Sequence, residues 1–336
     1  MAQNRYAKKI EDWFRANQRE LVFRKTKDPY AIWVSEVMAQ QTQIKTMLPY
    51  YEVWMKKWPT IEMLSKAKEM EVLEVWQGLG YYNRARKLID GAKQIMLQFQ
   101  GVFPQDIESI KTIAGIGEYT AGAISSIAFG QENPAVDGNV LRVLTRMFKI
   151  EDDITAQKTK AKVTAICKAW ISGSHPSDFT QGLMELGATI CTFKNPQCAC
   201  CPMQHDCRAY ADQTQLNYPV KKKAKQAKQL HYYTYVLMYK GKICISDDES
   251  DGLLKGFKRL PQFGAPIDIK GICHAEGKSK HIFSHRIWNM VWQYIECDNE
   301  IAIENARWIK MEDFNEKKLV MGHRKIIKKL NIFSEC

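Results

Sequence analysis

Four cysteines in the segment CTFKNPQCACCPMQHDC have the spacing of ligands to one metal centre. Cys191, Cys198, Cys201 and Cys207 form the pattern C-x6-C-x2-C-x5-C, and Cys200 is left over. A short loop of this kind can turn four thiolates inward, where zinc or an iron–sulfur cluster can bind them. Zinc ribbons usually carry two separated C-x2-C pairs, and this loop has one. The spacing therefore favours a 4Fe–4S cluster over zinc, and either centre over unliganded buried cysteines.

A glycine-rich turn in KTIAGIGEYTAGAISSIAFG could bind a phosphate. Gly115 and Gly117 permit a backbone shape that a side chain would obstruct, and the helix that follows offers free N–H groups at its start. The Lys and strand of a Walker loop are missing, as are the third glycine and βαβ unit of a dinucleotide site. A helix-hairpin-helix that grips a nucleic-acid backbone and a plain corner between two helices remain.

A carboxylate follows this turn in PAVDGNVLRVLTRM. Asp137 directly precedes a predicted helix, so its simplest role is that of an N-cap. A carboxylate can cap a helix and also face a substrate, in which case Asn139 could orient it.

The composition points to a polyanionic partner. The chain has 336 residues and a net charge of +12, which suits binding to nucleic acid or to an anionic membrane. No run of about 18 apolar residues predicts a membrane span. The start, MAQNRYAKKIEDWFRANQ, is typical of an amphipathic helix and not of a signal peptide. Together with the metal-type cysteines, this favours the cytosol, a nucleoid or a nucleus.

The elements that must position these residues change along the chain. Residues 1–212 show helical spacing of apolar residues and no strand-like alternation, so this region is predicted to be mainly α. Residues 213–230 are polar and lysine-rich, as in a linker. From 231 to 336 we expect an α+β domain: HYYTYVLMY and ICIS form a hairpin, RIWNMVWQYIEC forms a strand, and a helix covers about 312–330.

In combination, these features resemble the helix-hairpin-helix DNA glycosylases that carry an iron–sulfur cluster. The stretches DPYAIWVSEVMAQQTQI, GLGYYNRARKL and HIFSH are further similar to motifs of the adenine glycosylases of the MutY kind. The third stretch lies in a C-terminal domain that endonuclease III relatives lack. The resemblance implies a six-helix barrel with a 4Fe–4S subdomain over 1–212 and a Nudix-like 8-oxoguanine recognition domain over 231–336.

The resemblance also implies the chemistry. A monomer in the cytoplasm, on the nucleoid if bacterial, would excise adenine opposite 8-oxoguanine or guanine from double-stranded DNA. Glu36 would be the general acid at adenine N7, because the apolar run around it raises the pKa of a carboxyl group. Asp137 would stabilise the oxocarbenium-like sugar or a transient adduct, and Asn139 would orient it.

Tyr119 bears on the product. It stands where lyase-active relatives carry a nucleophilic lysine, and a phenol cannot form a Schiff base with the sugar. We therefore predict a monofunctional hydrolase that leaves an abasic site. A tyrosine that only packs or stacks is the alternative.

Recognition residues follow from the same resemblance. Gly115 and Gly117 would hold the DNA backbone, and the other matching positions are Gln41, Thr42, Leu79 and Tyr81 in a wedge that enters the duplex, Arg24 and Gln181 beside the adenine pocket, and Phe283, Ser284 and His285 in an 8-oxoguanine-sensing loop.

The sequence also departs from the family. Phe23 stands where many members have Trp, and GFKRLPQF replaces a frequent Trp-Glu-Phe-Pro pattern. No Nudix box of clustered carboxylates occurs over 261–280, so we expect neither pyrophosphohydrolase activity nor a magnesium site there.

Two other functions compete with adenine excision. A thymine or oxidised-pyrimidine glycosylase could use the same scaffold, although the HIFSH stretch disfavours it. A non-catalytic iron–sulfur protein that binds DNA is disfavoured by the pair Glu36 and Asp137, since a binder needs no two acids at the bound nucleotide.

Overall fold

The computed structural model describes residues 4–222, 227–248, 256–283 and 286–330. The chain divides into two compact units, Met1–Lys222 and Lys223–Cys336. Ser284 and His285 lie outside the described residues.

The first unit is built of helices, as the spacing predicts, and residues 4–222 contain no β-strand. The bounds are α1 Asn4–Asn17, α2 Pro29–Ala39, α3 Ile44–Lys57, α4 Ile61–Ser65, α5 Glu69–Trp76, α6 Asn83–Gln98, α7 Ile107–Thr112, α8 Glu118–Phe129, α9 Gly138–Phe148, α10 Gln157–Ile171, α11 Pro176–Thr189 and α12 Arg208–Ala211. Within the described part of the chain, no helix is both long and apolar enough to cross a membrane.

Helix α2 is central to this unit. Asp28 caps it by accepting a hydrogen bond from Tyr30 N, and Pro29 occupies its first turn. Contacts with α3, α6 and α8 bury the helix on most sides. A helix surrounded in this way carries apolar residues all round instead of one stripe. Glu36 interrupts this apolar run and lies at the surface of the cleft described below.

A second core joins the start of the chain to the cysteine loop. Residues of α1, α9, α10 and α11 pack together there, and the partly buried Cys191, Cys201 and Cys207 contact this cluster. The cysteine loop is therefore attached to the same core that supports α9 and α11.

The second unit contains a mixed sheet, as expected for an α+β domain. Its strands are β1 Lys228–Tyr239, β2 Lys242–Ser246, β3 Gln262–Phe263, β4 Gly271–Ile282, β5 Arg286–Cys297 and β6 Ala306–Lys310. The order is β4-β5-β1-β2-β6, with β3 paired to β1. Strand β1 runs parallel to β5 and antiparallel to β2.

Two predicted elements of this unit are confirmed. The hairpin forms between β1 and β2 through Lys240 and Gly241, whose φ angles of 41° and 74° are those of a tight hairpin turn. Strand β5 covers the predicted segment RIWNMVWQYIEC. Its alternation buries Trp288, Met290 and Trp292 on one face.

The helix predicted over about 312–330 is too long. Helix α13 covers Met321–Leu330, and the preceding residues form short 3-10 turns. The backbone at 318–320 is instead bonded to Lys258, whose N–H donates to Lys318 O and whose carbonyl accepts from Val320 N. A backbone held by these bonds cannot also complete helical ones.

The expected linker over 213–230 is ordered where it is described. Tyr218 is buried in the first unit, and Val220 O accepts a hydrogen bond from Ile154 N at 2.8 Å. Strand β1 begins at Lys228. The lysine-rich stretch thus contributes structure to both units, and residues 223–226 lie outside the described ranges.

Candidate active site

A cleft of about 1290 Å³ opens in the first unit among α2, α8, α9 and α11. Most of the residues predicted for the site in this unit line it: Arg24, Glu36, Gln41, Thr42, Gly115, Gly117, Tyr119, Asp137, Asn139 and Gln181. Residues more than 150 positions apart in the sequence therefore face one space.

Glu36 is the first acid of the cleft, and Tyr119 is its hydrogen-bond partner. The Tyr119 hydroxyl donates a hydrogen bond to Glu36 Oε2 and also approaches Met184 Sδ at 4.0 Å. Burial raises the pKa of Glu36 to about 7, although the Tyr119 hydrogen bond lowers it; the nearby Asp137 charge adds to the increase. Glu36 can therefore carry a proton near neutral pH.

Asp137 is the second acid, and it also caps α9. Its Oδ1 accepts from Val140 N and its Oδ2 from Asn139 Nδ2, each at 2.7 Å. Burial raises the pKa of Asp137, and these two hydrogen bonds oppose that shift. The carboxylate is fixed by one backbone and one side-chain donor.

Arg142 binds the side chain of Asn139, and no local motif of the sequence indicates this role. Its Nη2 donates to Asn139 Oδ1 at 2.8 Å and to Gly187 O at 2.6 Å, and its Nε donates to Cys191 O at 2.7 Å. One guanidinium thus connects the residue that orients Asp137 with α11 and the start of the cysteine loop.

Gly187 brings α11 very close to α9. A Cβ atom at Gly187 would lie 2.6 Å from the Cβ of Asn139. Real Cβ atoms do not approach so closely, so a side chain at 187 would displace Asn139 or separate the helices. The position of Asp137 depends on this contact.

Glu185 is a third acid in the cleft that the sequence analysis missed. It is 1% exposed, and its two oxygens accept from Arg19 Nε and Nη2 at 2.7 Å and from Arg24 Nη2 at 2.6 Å. Burial raises its pKa, but the two arginines outweigh burial and hold it at about 2. Glu185 lies among apolar residues in LMELGA, as Glu36 does in its own helix. This pattern is the sequence signal that could have indicated a buried acid at position 185.

The helical hairpin has the predicted form of α7, a turn and α8. Gly115 adopts φ = 84°, and a Cβ there would lie 2.6 Å from Lys87 Cβ. Around Gly117, by contrast, a Cβ would meet nothing within 4 Å. The Cα of Gly117, at the N-cap of α8, therefore borders open space from which an anion can approach the start of the helix.

The four cysteines of the motif line one pocket together with Met203 and Arg146. Among the described residues, no group of three or more His, Cys, Asp or Glu side chains is arranged to hold a metal ion. Arg146 is 1% exposed, and its Nη1 donates to Cys191 Sγ at 3.3 Å. A sulfur that faces both a cation and three further thiols in a shared pocket suits an anionic sulfur cluster. The donor set therefore fits the expected group.

The wedge residues occupy two adjacent segments. Gln41 and Thr42 follow α2, with Gln41 at φ = 57°. Leu79 and Tyr81 lie in the loop after α5, outside the cleft lining. Leu79 is buried, whereas Tyr81 is 49% exposed at φ = 49°.

Phe283 lies in the second unit. Its ring packs edge-on against Trp288 and His281, with centroids 4.9 and 4.6 Å away. Its predicted neighbours Ser284 and His285 lie outside the described residues.

Comparison with known proteins agrees with this geometry. Residues 34–169 match the HhH-GPD superfamily of base excision DNA repair proteins. The adenine DNA glycosylase of Arabidopsis thaliana is 42% identical over 60% of this chain. A structure of a thermostable thymine-DNA glycosylase is similar over 62% of this chain and 97% of its own, with 25% identity and a TM-score of 0.57.

The length of the match differs among relatives. The chain spans 36% of the Arabidopsis protein and 42% of the adenine DNA glycosylase of Rattus norvegicus. The adenine DNA glycosylase of Buchnera aphidicola subsp. Schizaphis graminum is 34% identical, and the match covers 78% of this chain and 76% of that protein. The chain therefore belongs to the adenine DNA glycosylase family.

Proposed function

We propose that this protein is an adenine DNA glycosylase that hydrolyses the N-glycosidic bond of adenine opposite 8-oxoguanine or guanine in double-stranded DNA. The observation that carries the proposal is a pair of carboxyl groups in one cleft with different surroundings. Glu36 has its pKa raised to about 7, and Asp137 is held by two hydrogen-bond donors. One acid to give a proton and one carboxylate to face a cation are what this bond cleavage requires.

Glu36 acts as the general acid in this proposal. Adenine leaves poorly as an anion, so protonation at N7 lowers the barrier to departure. With a pKa of about 7, Glu36 is roughly half protonated at neutral pH. The Tyr119 hydroxyl, bonded to Oε2, fixes the direction in which the carboxyl group points.

Asp137 stabilises the positive sugar that forms as adenine leaves. Asn139 donates to its Oδ2, and Arg142 in turn donates to Asn139, so the carboxylate cannot rotate away. Water, or the carboxylate itself followed by water, completes the substitution at the sugar carbon. Because Tyr119 replaces a lysine nucleophile, the product is an intact strand with an abasic site.

The target base must leave the helical stack before it reaches these acids. The start of α8 at Gly117 holds a backbone phosphate. Within the wedge, Gln41, Thr42 and Tyr81 fill the space left in the duplex, and the buried Leu79 supports the loop that carries Tyr81. Arg24 and Gln181 line the adenine pocket. The second unit, Nudix-like in this proposal, reads 8-oxoguanine through Phe283, Ser284 and His285.

A 4Fe–4S cluster is proposed at the cysteine loop, held by Cys191, Cys198, Cys201 and Cys207. When bound, it fixes the loop, and its chemistry is that of an electron-transfer or purely structural centre. Arg146 supports the loop by donating to Thr192 O, Phe193 O and the sulfur of Cys191. Purified protein should show the broad visible absorbance of iron–sulfur proteins; a colourless zinc protein would contradict the cluster.

One assay tests the reaction. Duplexes with A opposite 8-oxoguanine, A opposite G, or T opposite G are incubated with protein and then treated with hot alkali. We expect cleavage of both adenine duplexes, only after alkali. Cleavage without alkali would show lyase activity and contradict the role of Tyr119. Release from T opposite G alone would favour the thymine glycosylase, and no release from any duplex would favour a DNA-binding protein.

A further inference from the structure

Arg84 makes an unusual set of contacts between two segments beside the cleft. Its Nη1 donates to Val37 O at 2.8 Å and to Met38 O at 3.2 Å, and it also reaches Gln40 O. These carbonyls lie at the carboxyl end of α2, one, two and four residues after Glu36. Its Nη2 turns the other way, to the loop that follows α5.

The contacts of Nη2 complete the bridge. It donates to Leu79 O at 3.2 Å, to Gly80 O at 3.3 Å and to Thr42 Oγ1 at 3.4 Å. The guanidinium also lies over the Tyr81 ring, 5.5 Å from its centroid. A planar group with donors on both edges can hold two chain segments at a fixed spacing, which a single ammonium cannot do.

This arrangement is costly for the fold. Every hydrogen-bond acceptor of Arg84 in the described part of the chain is an uncharged oxygen. Burial lowers the pKa of Arg84 to about 10. A partly buried cation without a carboxylate partner is unfavourable unless several oriented dipoles replace the water that it loses. The α2 carbonyls supply such dipoles at the negative end of the helix.

Both segments also carry backbone strain. Gln41 and Tyr81 adopt left-handed φ angles of 57° and 49°, which non-glycine residues rarely hold without support. Arg84 bonds the residues directly before each of them, Gln40 and Gly80. The same guanidinium thus stabilises both strained turns.

We propose that Arg84 is a positioning residue that joins residues 40–42 and 79–81 into one rigid wedge and fixes that wedge relative to the carboxyl end of α2. It touches no reacting atom. The inference rests on the proposed function, because a wedge has a purpose only if a base is displaced from a duplex. Its consequence is that base displacement should depend on Arg84 more strongly than binding to undamaged DNA does.

The test measures base displacement separately from chemistry. All proteins carry Glu36→Gln, so that no adenine is released. A 2-aminopurine placed next to the adenine opposite 8-oxoguanine becomes fluorescent when its neighbour leaves the stack. The proteins compared are Glu36→Gln alone and the same protein with Arg84→Gln, Arg84→Lys or Arg86→Gln. Arg86 is the matched control, since it pairs on the surface with Glu69 at 2.7 Å.

We expect Arg84→Gln to slow the fluorescence rise about 10- to 100-fold, since small misplacements of positioning groups cost this much. Its affinity for an undamaged duplex should change less than about 3-fold, because the donors of Arg84 are bonded within the protein and contribute little to the attraction for phosphates. Arg86→Gln should match the parent. Arg84→Lys keeps the charge and provides the test if the glutamine variant does not fold; it should also slow the rise.

The other outcomes are distinct. If the Glu36→Gln protein alone gives no rise in 2-aminopurine fluorescence, the proposed function is contradicted. The role of Arg84, which rests on that function, is then contradicted as well. A normal parent trace together with a normal trace for either folded Arg84 variant would overturn the role of Arg84 alone. Equal losses of fluorescence rise and of undamaged-duplex affinity would also overturn it, because general misfolding would then explain both.

Discussion

Glu36 and Glu185 line the same cleft, and the protein moves their pKa values in opposite directions. Glu36, on α2, meets apolar residues, a tyrosine hydroxyl and the charge of Asp137, and its pKa rises to about 7. Glu185, on α11, meets Arg19 and Arg24, and its pKa falls to about 2. Burial opposes ionisation of both groups, so the nearby charges decide the outcome.

The opposite pKa shifts show how one cleft can contain a proton donor, Glu36, and a carboxylate that stays ionised at neutral pH, Glu185. Glu185 pairs with two arginines and holds them at the cleft wall. Arg24 lowers the pKa of Glu36, but less than burial raises it.

The largest expected effect is on catalysis. Glu36→Gln should reduce the single-turnover rate of adenine release about 100- to 10,000-fold, since glutamine cannot donate the proton. Gel analysis of alkali-treated duplexes measures this rate. Glu62→Gln, at an exposed position of α4, is the control and should retain the parent rate. A loss below tenfold would show that another group supplies the proton.

Glu185→Gln should next destabilise the fold, because Arg19 and Arg24 would remain without their anion. We expect a loss of about 2 kcal/mol in the free energy of unfolding near neutral pH, measured by urea denaturation. The lowered pKa of Glu185 contributes stability that is present above its unfolded pKa and lost as pH falls toward 2. The gap between parent and variant should therefore close below about pH 4.

Glu36→Gln should have the opposite effect on stability. A raised pKa means that Glu36 favours the folded state fully at low pH, and this contribution is lost as pH rises through about 7. The variant avoids the buried charge and should be more stable than the parent by about 1 to 2 kcal/mol at pH 8. The same denaturation series at pH 4 should show no such advantage. An equal gain at both pH values would contradict the raised pKa.

The smallest expected effect is that of Tyr119→Phe. The Tyr119 hydrogen bond lowers the pKa of Glu36, so its removal should raise that pKa further by less than about one unit. The falling limb of the pH–rate profile for adenine release should move to higher pH. A shift to lower pH would show that Tyr119 supports the protonated form of Glu36 instead.

The sequence predicted the parts of the site that follow local rules. The Asp137 cap, the glycine hairpin and the alternation in β5 each follow from residues within a few positions of one another. Glu185 and Arg142 were missed, because their roles depend on Arg19, Arg24 and Asn139, which come from other helices. The boundary of α13 was misjudged since a long-range pairing with Lys258 ends the helical pattern.

The close approach at Gly187 has a consequence for how this protein can change. Asp137 and Asn139 can both be unchanged and still be displaced by a mutation elsewhere. Replacement of Gly187 by alanine would place its Cβ against carbon atoms of Asn139 and push that residue away. We expect such a variant to keep each reacting group and yet to release adenine more slowly than the parent. The catalytic centre is therefore sensitive to mutation at a residue that takes no part in the reaction.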